Sequence, residues 1–257
     1  MSRPLSGVAV VVTRPVRQGA AFAQQLAALG ATPIVWPAII ILPPDDRSAL
    51  ERAHATLERY DLAFFVSANA AEYGAPAAGR WPARLAAYAP GPGTAAALAA
   101  VGVPYPRVPE ISYDSEGLLA LAELANVRGK RAIVFRGQGG RELLADTLRA
   151  RGATVDVVSC YRRAAPSGDA RGLIDALRSH RARVLTLTSS EAVDNLMRAA
   201  GEAGRAELKD VPAFAPHPRI ADHARALGLD ARLTAGGDAG LIAALLEWAS
   251  ARTASPT

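Results

Sequence analysis

Cysteine and lysine are nearly absent from the sequence. The single cysteine, Cys160, lies in the apolar segment VDVVSCY, which excludes an internal disulfide and a metal-binding cysteine pair, and we expect a buried, inert thiol. Lys130 and Lys209 are the only lysines among 29 lysines and arginines. The arginines are interspersed with acidic residues, without the dense basic run or aromatic platform that is typical of nucleic-acid modules. Nucleic acid is therefore not an expected partner.

Long hydrophobic runs are also missing. The apolar segment PAIIILPP is too short to cross a bilayer, and the N-terminus leads directly into a predicted strand without the cleavage site of a signal peptide. We therefore expect a cytoplasmic protein without a membrane segment. The net charge of +5 favours an anionic small molecule as ligand, although arginines that only solvate the surface explain it equally well. The C-terminal segment ARTASPT, from Ala251, is expected to be disordered.

The chain contains an internal repeat. The segments GVAVVVTRP and GKRAIVFRG each hold a β-branched strand that ends in an arginine, and these arginines, Arg14 and Arg136, are 122 residues apart (136 − 14). Each copy continues with an amphipathic helix, a glycine that ends the helix (Gly30 or Gly152, also 122 apart) and a second apolar strand. Each copy therefore predicts a β-α-β unit, which implies a parallel sheet covered by helices on both faces.

Further segments recur in the same order. DLAFFVSANAAEY and RVLTLTSSEAVDN both predict a strand that ends in serine ahead of a helix, with Ser67 and Ser189 again 122 residues apart (189 − 67). Downstream, GPGTAAALAAVGV from Gly91 pairs with HPRIADHARALGL from His217, and EGLLAL pairs with AGLIAAL. If the two phrases are called a and b, the order along the chain is a, b, a′, b′.

This order predicts two α/β domains. One is expected to be contiguous, over 42–160, and the other to combine 1–38 with 165–257, with linker segments at 39–41 and 161–164. Each domain is expected to hold a doubly wound parallel sheet of the flavodoxin or Rossmann type, with a cleft between the domains. At 257 residues, 50% of them hydrophobic, the chain is long enough for two such cores.

The candidate site residues are those that close the predicted strands, because ligands of parallel sheets bind outside the carboxyl ends of the strands. Each of these turns leads into a helix N-terminus, where free backbone N–H groups favour an anion. The residues are Thr13, Arg14, Ser67, Arg136, Ser189 and Ser190, with Tyr161 of the linker near the same opening.

The segment FRGQGGRE is the most specific of these turns. Gly137, Gly139 and Gly140 would let the backbone approach a carboxylate or phosphate, and Arg136 and Arg141 could bind it through their guanidinium groups. The segment is neither a P-loop nor a G-x-G-x-x-G motif. Alternatively, these glycines serve only the geometry of the loop. The matching turn at Arg14 favours a role in binding instead.

The hydroxyl and imidazole groups allow several interpretations. Serine between a strand and a helix is most often an N-cap, and no G-x-S-x-G elbow surrounds Ser67 or Ser189. Tyr161 either donates a proton or packs against the linker. The histidines fall on predicted helices or at their starts, and none has metal-ligand spacing, so we expect surface or capping roles and no metal site. They are His54, His180, His217 and His223.

A family resemblance rests on six segments in order. VVVTRP, FFVSANAAEYG, GPGTAAALAAVGV, DSEGLLAL, the segment from GKRAIVFRG to CYRR, and TLTSSEAV together resemble the uroporphyrinogen-III synthase family over almost the full chain. The resemblance implies cyclisation of hydroxymethylbilane, a linear tetrapyrrole with eight carboxylates, to uroporphyrinogen III. Water is lost from the hydroxymethyl group, ring D is inverted through a spiro intermediate, and no cofactor takes part. A monomer is expected.

The resemblance also implies roles for individual residues. Tyr161 would help the hydroxyl depart as water. Substrate contacts would come from Thr13, Arg14, Ser67, Thr94, Arg136, Gly137, Ser189 and Ser190.

One departure from the family pattern leaves an alternative open. His217 and Ile220 stand where the family usually keeps glycine and threonine in the second copy of G-P-x-T-A. The alternative is a divergent paralogue that has lost catalysis and binds an anionic small molecule or a tetrapyrrole in the inter-domain cleft. A two-domain binding protein similar to periplasmic solute receptors is disfavoured by the missing secretion signal, and a nucleotide-binding regulator by the missing phosphate-loop fingerprint.

Overall fold

The chain forms two compact units. The structure is a computed structural model that describes residues 3–180 and 182–253. One unit combines the chain up to Ile40 with the chain from Ala164 onward, and the other is Ile41–Arg163. Within the described residues, each unit is built on one five-stranded sheet, so the predicted α/β class with two sheets is confirmed.

Strands alternate with helices over most of the chain, and the helix Ser190–Lys209 is broken at Gly201, whose backbone is not helical. In chain order they are β1 (Val8–Val12), α1 (Val16–Ala28), β2 (Thr32–Val35), β3 (Ile40–Leu42), α2 (Ser48–Ala55), β4 (Leu62–Phe65), α3 (Ala68–Gly74), β5 (Ala86–Tyr88), α4 (Pro92–Ala100), α5 (Ser115–Leu119), β6 (Arg131–Gly137), α6 (Leu143–Ala150), β7 (Thr154–Ala164), α7 (Arg171–Arg178), β8 (Ala182–Thr186), α8 (Ser190–Lys209), β9 (Ala213–Ala215), α9 (Pro218–Ala226), β10 (Ala231–Leu233) and α10 (Gly237–Thr253).

The strand orders show the repeat directly. The first unit has the order β10-β9-β8-β1-β2, and the second has β3-β7-β6-β4-β5. The central strands β1 and β6 carry the first repeated segment, and each pairs in parallel with the strand that follows it in its own copy and with the strand that carries the serine segment. The isolated parallel bridge between Tyr88 and Arg107 lies beside β5, where the first unit has β10. The a, b, a′, b′ pattern therefore builds two sheets of the same design.

Both faces of the central strands are buried. In β1, Val10 and Val12 belong to one apolar cluster and Val11 to another. In β6, Phe135 and Val134 likewise belong to different clusters. Helices that cover both faces of a parallel sheet require continuous apolar strands rather than alternating ones, which explains the runs VAVVV and AIVF.

The helix-ending glycines of the repeat have matching conformations. Gly30 and Gly152 follow α1 and α6 with φ values of +92° and +91°, in the left-handed region that favours glycine. A β-carbon at Gly30 would lie 2.7 Å from Cβ of Arg3, and one at Gly152 would lie 3.1 Å from Cα of Arg128. The prediction that glycine ends both helices is confirmed, and close packing adds to the conformational reason.

The segments expected to act as linkers lie where the chain passes from one unit to the other. Most of their residues belong to strands, since β3 begins at Ile40 and β7 continues to Ala164, and these two strands are neighbours in one sheet. Consecutive isoleucines favour a strand, and the prolines only limit its length. The expected disorder from Ala251 is wrong as far as Thr253, since α10 extends to that residue. The rest of that segment, 254–257, lies outside the described residues.

No helix of the described chain is a candidate for a membrane span. Within residues 3–180 and 182–253, none combines the length and the apolar character that crossing a bilayer requires.

The cysteine lies in the core of the second unit, as predicted. Cys160 is fully buried, and its Sγ donates to the carbonyl oxygen of Arg136 at 3.2 Å and lies 3.7 Å from that of Ala70. Burial disfavours the thiolate and raises the pKa of this thiol to about 12. A thiol in this state is a poor nucleophile.

We predict that Cys160 of the native protein does not react with a disulfide reagent such as DTNB at pH 8. With a pKa of about 12, the thiolate fraction at that pH is on the order of 10⁻⁴, and the sulfur has no solvent exposure. One equivalent should react once guanidinium unfolds the chain, where the pKa returns to about 8.5. Rapid stoichiometric labelling before unfolding would contradict the burial.

Candidate functional site

A cavity opens at the carboxyl ends of β4, β6 and β7 in the second unit. Its volume is about 310 Å³. Four of the predicted site residues line it together, in keeping with the rule that ligands of parallel sheets bind at this edge. They are Ser67, Arg136, Gly137 and Tyr161; other polar lining residues are Ser115, Gln138, Gly139, Gly140, Arg141 and Arg163.

A β-bulge between β6 and β7 sets the position of Tyr161. Arg136 is opposite Ser159, but Gly137 is opposite Tyr161, so Cys160 is the extra residue on β7. The backbone N–H of Gln138 donates to the carbonyl oxygen of Tyr161 at 2.8 Å, which closes the ladder beyond the bulge. The tyrosine is therefore fixed by main-chain pairing at the sheet edge.

Gly137 is a contact surface for the phenol ring. A β-carbon at Gly137 would lie 2.6 Å from Cζ of Tyr161 and 3.0 Å from its hydroxyl oxygen, closer than any side chain allows. The sequence predicts that Gly137 allows close approach of an anion to the backbone. The structure supplies a different reason for glycine at this position, which is that the tyrosine ring lies against it.

The hydroxyl of Tyr161 contacts the predicted serine. Tyr161 Oη lies 3.2 Å from Ser67 Oγ, and the residue is only 3% exposed. Ser67 also caps α3, because its Oγ accepts the backbone N–H of Ala70 at 3.1 Å. The ring of Tyr73 lies beside that of Tyr161, with a centroid distance of 6.3 Å. The capping role expected of Ser67 is confirmed, and the contact with the phenol is additional.

Two of the three arginines that line the cavity are each paired with a glutamate. Arg136 Nη2 donates to Glu142 at 2.6 Å, and Arg141 forms two hydrogen bonds with Glu116 at 2.6 and 3.2 Å. The hydrogen bonds from Arg141 hold the pKa of Glu116 below its usual value, and the same pairing raises the pKa of Arg141. Within the described chain, Nε of Arg136 is buried without a hydrogen-bond partner.

The glycine turn presents backbone to the cavity. Gly139 and Gly140 have φ values of +76° and +113°, and no atom lies within 4 Å of where their β-carbons would be. The left-handed backbone therefore requires glycine at both positions. Open backbone between two arginines is an arrangement that can accept a carboxylate.

The first unit places its predicted residues differently. Thr13 is fully buried, and its Oγ1 donates to the carbonyl of Thr186 at 2.8 Å while Oγ1 of Thr186 donates to Val11 at 2.7 Å. These bonds tie β1 to β8. Arg14 pairs with Asp238 at the start of α10, with its guanidinium 4.7 Å from the ring centroid of Phe22.

The serines of the first unit lie at the start of α8. Ser189 accepts the N–H of Ala192 at 3.1 Å, so its expected capping role is confirmed. The Oγ of Ser190 is buried and has no hydrogen-bond partner among the described residues. In the second unit, Thr94 lies in the first turn of α4, is 8% exposed, and is not among the described residues that line the cavity.

The two departures from the family pattern have structural tasks. His217 is the N-cap of α9, and its Nδ1 accepts the N–H of Arg219 at 3.2 Å. Ile220 is 6% exposed and packs in an apolar cluster of the first unit. In the second unit, Gly91 takes the capping position, where a β-carbon would lie 3.1 Å from Cβ of Tyr113. Capping and core packing therefore account for these two residues.

The other histidines lie away from the cavity and bind neighbouring groups. His54 Nε2 is 2.8 Å from the carbonyl oxygen of Gly74, and His223 Nε2 is 2.7 Å from Asp194. His180 follows the end of α7 rather than lying within or at the start of a helix. In the part of the chain that the structure describes, no three metal-ligating side chains lie together.

Sequence reasoning did not identify the acidic partners of the arginines. Glu142 lies within the same segment as the glycine turn, and an arginine followed six residues later by a glutamate was the available signal. Glu116 and Asp238 come from distant helices, and no local pattern predicts their pairing.

The sequence matches a family model and several relatives that carry the same family name. The model described as uroporphyrinogen-III synthase HemD matches residues 20–237. The uroporphyrinogen-III synthase of Salmonella typhimurium strain LT2 is 39% identical over 198 residues, covering 74% of this chain and 78% of that protein. The uroporphyrinogen-III synthase of Escherichia coli strain K12 is 36% identical over 198 residues, with the same coverage of each.

Solved structures share the fold. A uroporphyrinogen-III synthetase from Helicobacter pylori 26695 matches with a TM-score of 0.56 at 11% identity, covering 96% of this chain and 99% of that one. A mutant uroporphyrinogen III synthase from Thermus thermophilus matches with a TM-score of 0.52 at 22% identity, covering 95% and 99%. The family model spans most of the sequence and the fold agrees with it, and the chain therefore belongs to the uroporphyrinogen-III synthase family.

Proposed function

We propose that this chain converts hydroxymethylbilane to uroporphyrinogen III, with inversion of ring D and loss of water. The observation that carries the proposal is the cavity of the second unit, where a buried tyrosine hydroxyl, three arginines and an open glycine turn line one space. Membership of the synthase family supplies the reaction. The finer expectations of a monomer in the cytoplasm belong to the same proposal.

Tyr161 acts on the leaving group in this reaction. Its phenol donates a proton to the hydroxyl of the hydroxymethyl group, the C–O bond breaks, and the oxygen departs as water. The pyrrole nitrogen next to the new carbocation shares its electron pair and stabilises it. The carbon of ring D that carries the bridge from ring C attacks this carbocation to give the spiro intermediate, and its old bond to the bridging carbon breaks. The bridging carbon then bonds to the free α-carbon of ring D, which loses a proton that restores the phenol. The overall change is loss of one water.

The arginines and the glycine turn orient the substrate. Arg136 and Arg141 bind substrate carboxylates through charge-assisted hydrogen bonds, in exchange for their contacts with Glu142 and Glu116. Holding carboxylates at fixed points folds the flexible chain so that its ends meet with ring D reversed. Without such control the bilane closes to the uninverted isomer. Contacts from Thr13, Arg14, Thr94, Ser189 and Ser190 remain predictions.

The test is incubation of the purified protein with enzymatically generated hydroxymethylbilane, followed by separation of the type I and type III products. We expect a clear excess of type III over a protein-free control, in which spontaneous closure gives type I. A chain that only bound a tetrapyrrole or another anion would leave the control ratio unchanged. That result would contradict the proposal.

We predict that Tyr161→Phe lowers turnover only in part, by about 10- to 100-fold, near or below the lower end of what general acids contribute. The pyrrole stabilises the cation, so the demand on the acid is modest. The measurement is the initial rate of type III formation. Tyr60→Phe is the matched control, because Tyr60 is a buried tyrosine of the same unit whose hydroxyl donates to Asp156 at 2.6 Å, and it should keep full turnover.

Complete loss of activity in a folded Tyr161→Phe protein would contradict a mechanism in which the pyrrole of the substrate stabilises the cation and the acid contributes only part of the rate. A melting temperature close to that of the wild type establishes that the variant is folded.

A further inference from the structure

We propose that Ser67 is a positioning residue for the proton of Tyr161. In this proposal the serine hydroxyl donates to the phenol oxygen, so that the proton of Tyr161 points into the cavity. The inference rests on the proposed function. It replaces direct substrate binding as the main role of Ser67.

The hydrogen-bond capacity of Ser67 allows this direction, and the position of the cavity favours it. A serine hydroxyl has one proton and two lone pairs, and one lone pair of Ser67 already accepts the N–H of Ala70 at 3.1 Å. Its proton and its second lone pair remain for the phenol oxygen at 3.2 Å, so the position of the cavity decides the direction. If Tyr161 donated instead, its proton would point at α3 and not at the cavity, where a leaving hydroxyl would need it.

The surroundings of Tyr161 fix its backbone and ring and leave the O–H bond free to rotate. The ring lies against Gly137 on one side, with the Tyr73 ring nearby, and the bulge fixes the backbone. The residue is 3% exposed. Because the ring is held, a single neighbouring donor is enough to decide where the proton points.

The internal repeat shows that the contact is not a by-product of capping. Ser189 caps α8 with the same 3.1 Å hydrogen bond to the residue three positions on. The residue that corresponds to Tyr161 in the first unit is Ile39, 122 positions earlier (161 − 122), and it has no hydroxyl. Both units therefore keep the capping serine, and among the described residues its contact with a phenol occurs in the second unit alone.

The test is a double-mutant cycle on the rate of type III formation, with Ser67→Gly, Tyr161→Phe and the combination. Glycine is a good N-cap residue, so Ser67→Gly removes the donated proton with little effect on α3, which the melting temperature checks. We expect Ser67→Gly to lower kcat by about 10-fold with KM changed less than about 3-fold. In the Tyr161→Phe background it should cost nothing further. Ser67→Thr, which keeps both the cap and the hydroxyl, should stay within about 3-fold of the wild type.

Three results would overturn the inference. One is a Ser67→Gly effect of equal size in both backgrounds, which would mean that serine acts on substrate or stability and not through Tyr161. Another is an effect confined to KM. The third is a Tyr161→Phe variant as fast as the wild type. Failure of the proposed function itself is distinguishable, because the wild-type protein would then form no excess of type III product.

Discussion

The bulge between β6 and β7 is the constraint on which the candidate site depends. Without it, strict alternation would send Cys160 and Tyr161 to opposite faces of the sheet. With it, both belong to the same apolar cluster, the thiol is buried against the carbonyl of Arg136, and the phenol lies over Gly137. A main-chain irregularity thus sets the chemistry of the cavity, which agrees with the frequent occurrence of bulges next to active sites.

The two units share one architecture and differ in what their strand ends hold. Arg136 borders a cavity and pairs with a glutamate of the following turn. Its counterpart Arg14 pairs with Asp238 and lies over the ring of Phe22. Thr13, the residue before Arg14, joins β1 to β8 through its hydrogen bond to the carbonyl oxygen of Thr186. The two units therefore have the same kind of sheet, and they differ in the side-chain contacts at the strand ends. In the second unit these contacts leave a buried tyrosine hydroxyl beside open backbone.

Much of the fold is predictable because it repeats with a fixed shift. The continuous apolar strands, the helix-ending glycines and the capping serines are local patterns, and the 122-residue offset predicts which strands share a sheet. Local patterns do not predict register, so the bulge that brings Tyr161 to Ser67 could not be inferred. The same limit applies to Asp238, which reaches Arg14 from the other end of the chain. The place of strand β3 in the sheet depends on its long-range pairing with β7, which no local pattern predicts.

The central claim is that the cavity of the second unit binds the tetrapyrrole by its carboxylates beside Tyr161. The most direct measurement is a crystal structure of the full chain with uroporphyrinogen III bound, solved under anaerobic conditions. The account predicts a product carboxylate hydrogen-bonded to Arg136 in exchange for Glu142, with the hydroxyl of Tyr161 facing the macrocycle. A product molecule bound with none of its atoms in this cavity, and Arg136 still paired with Glu142, would contradict it.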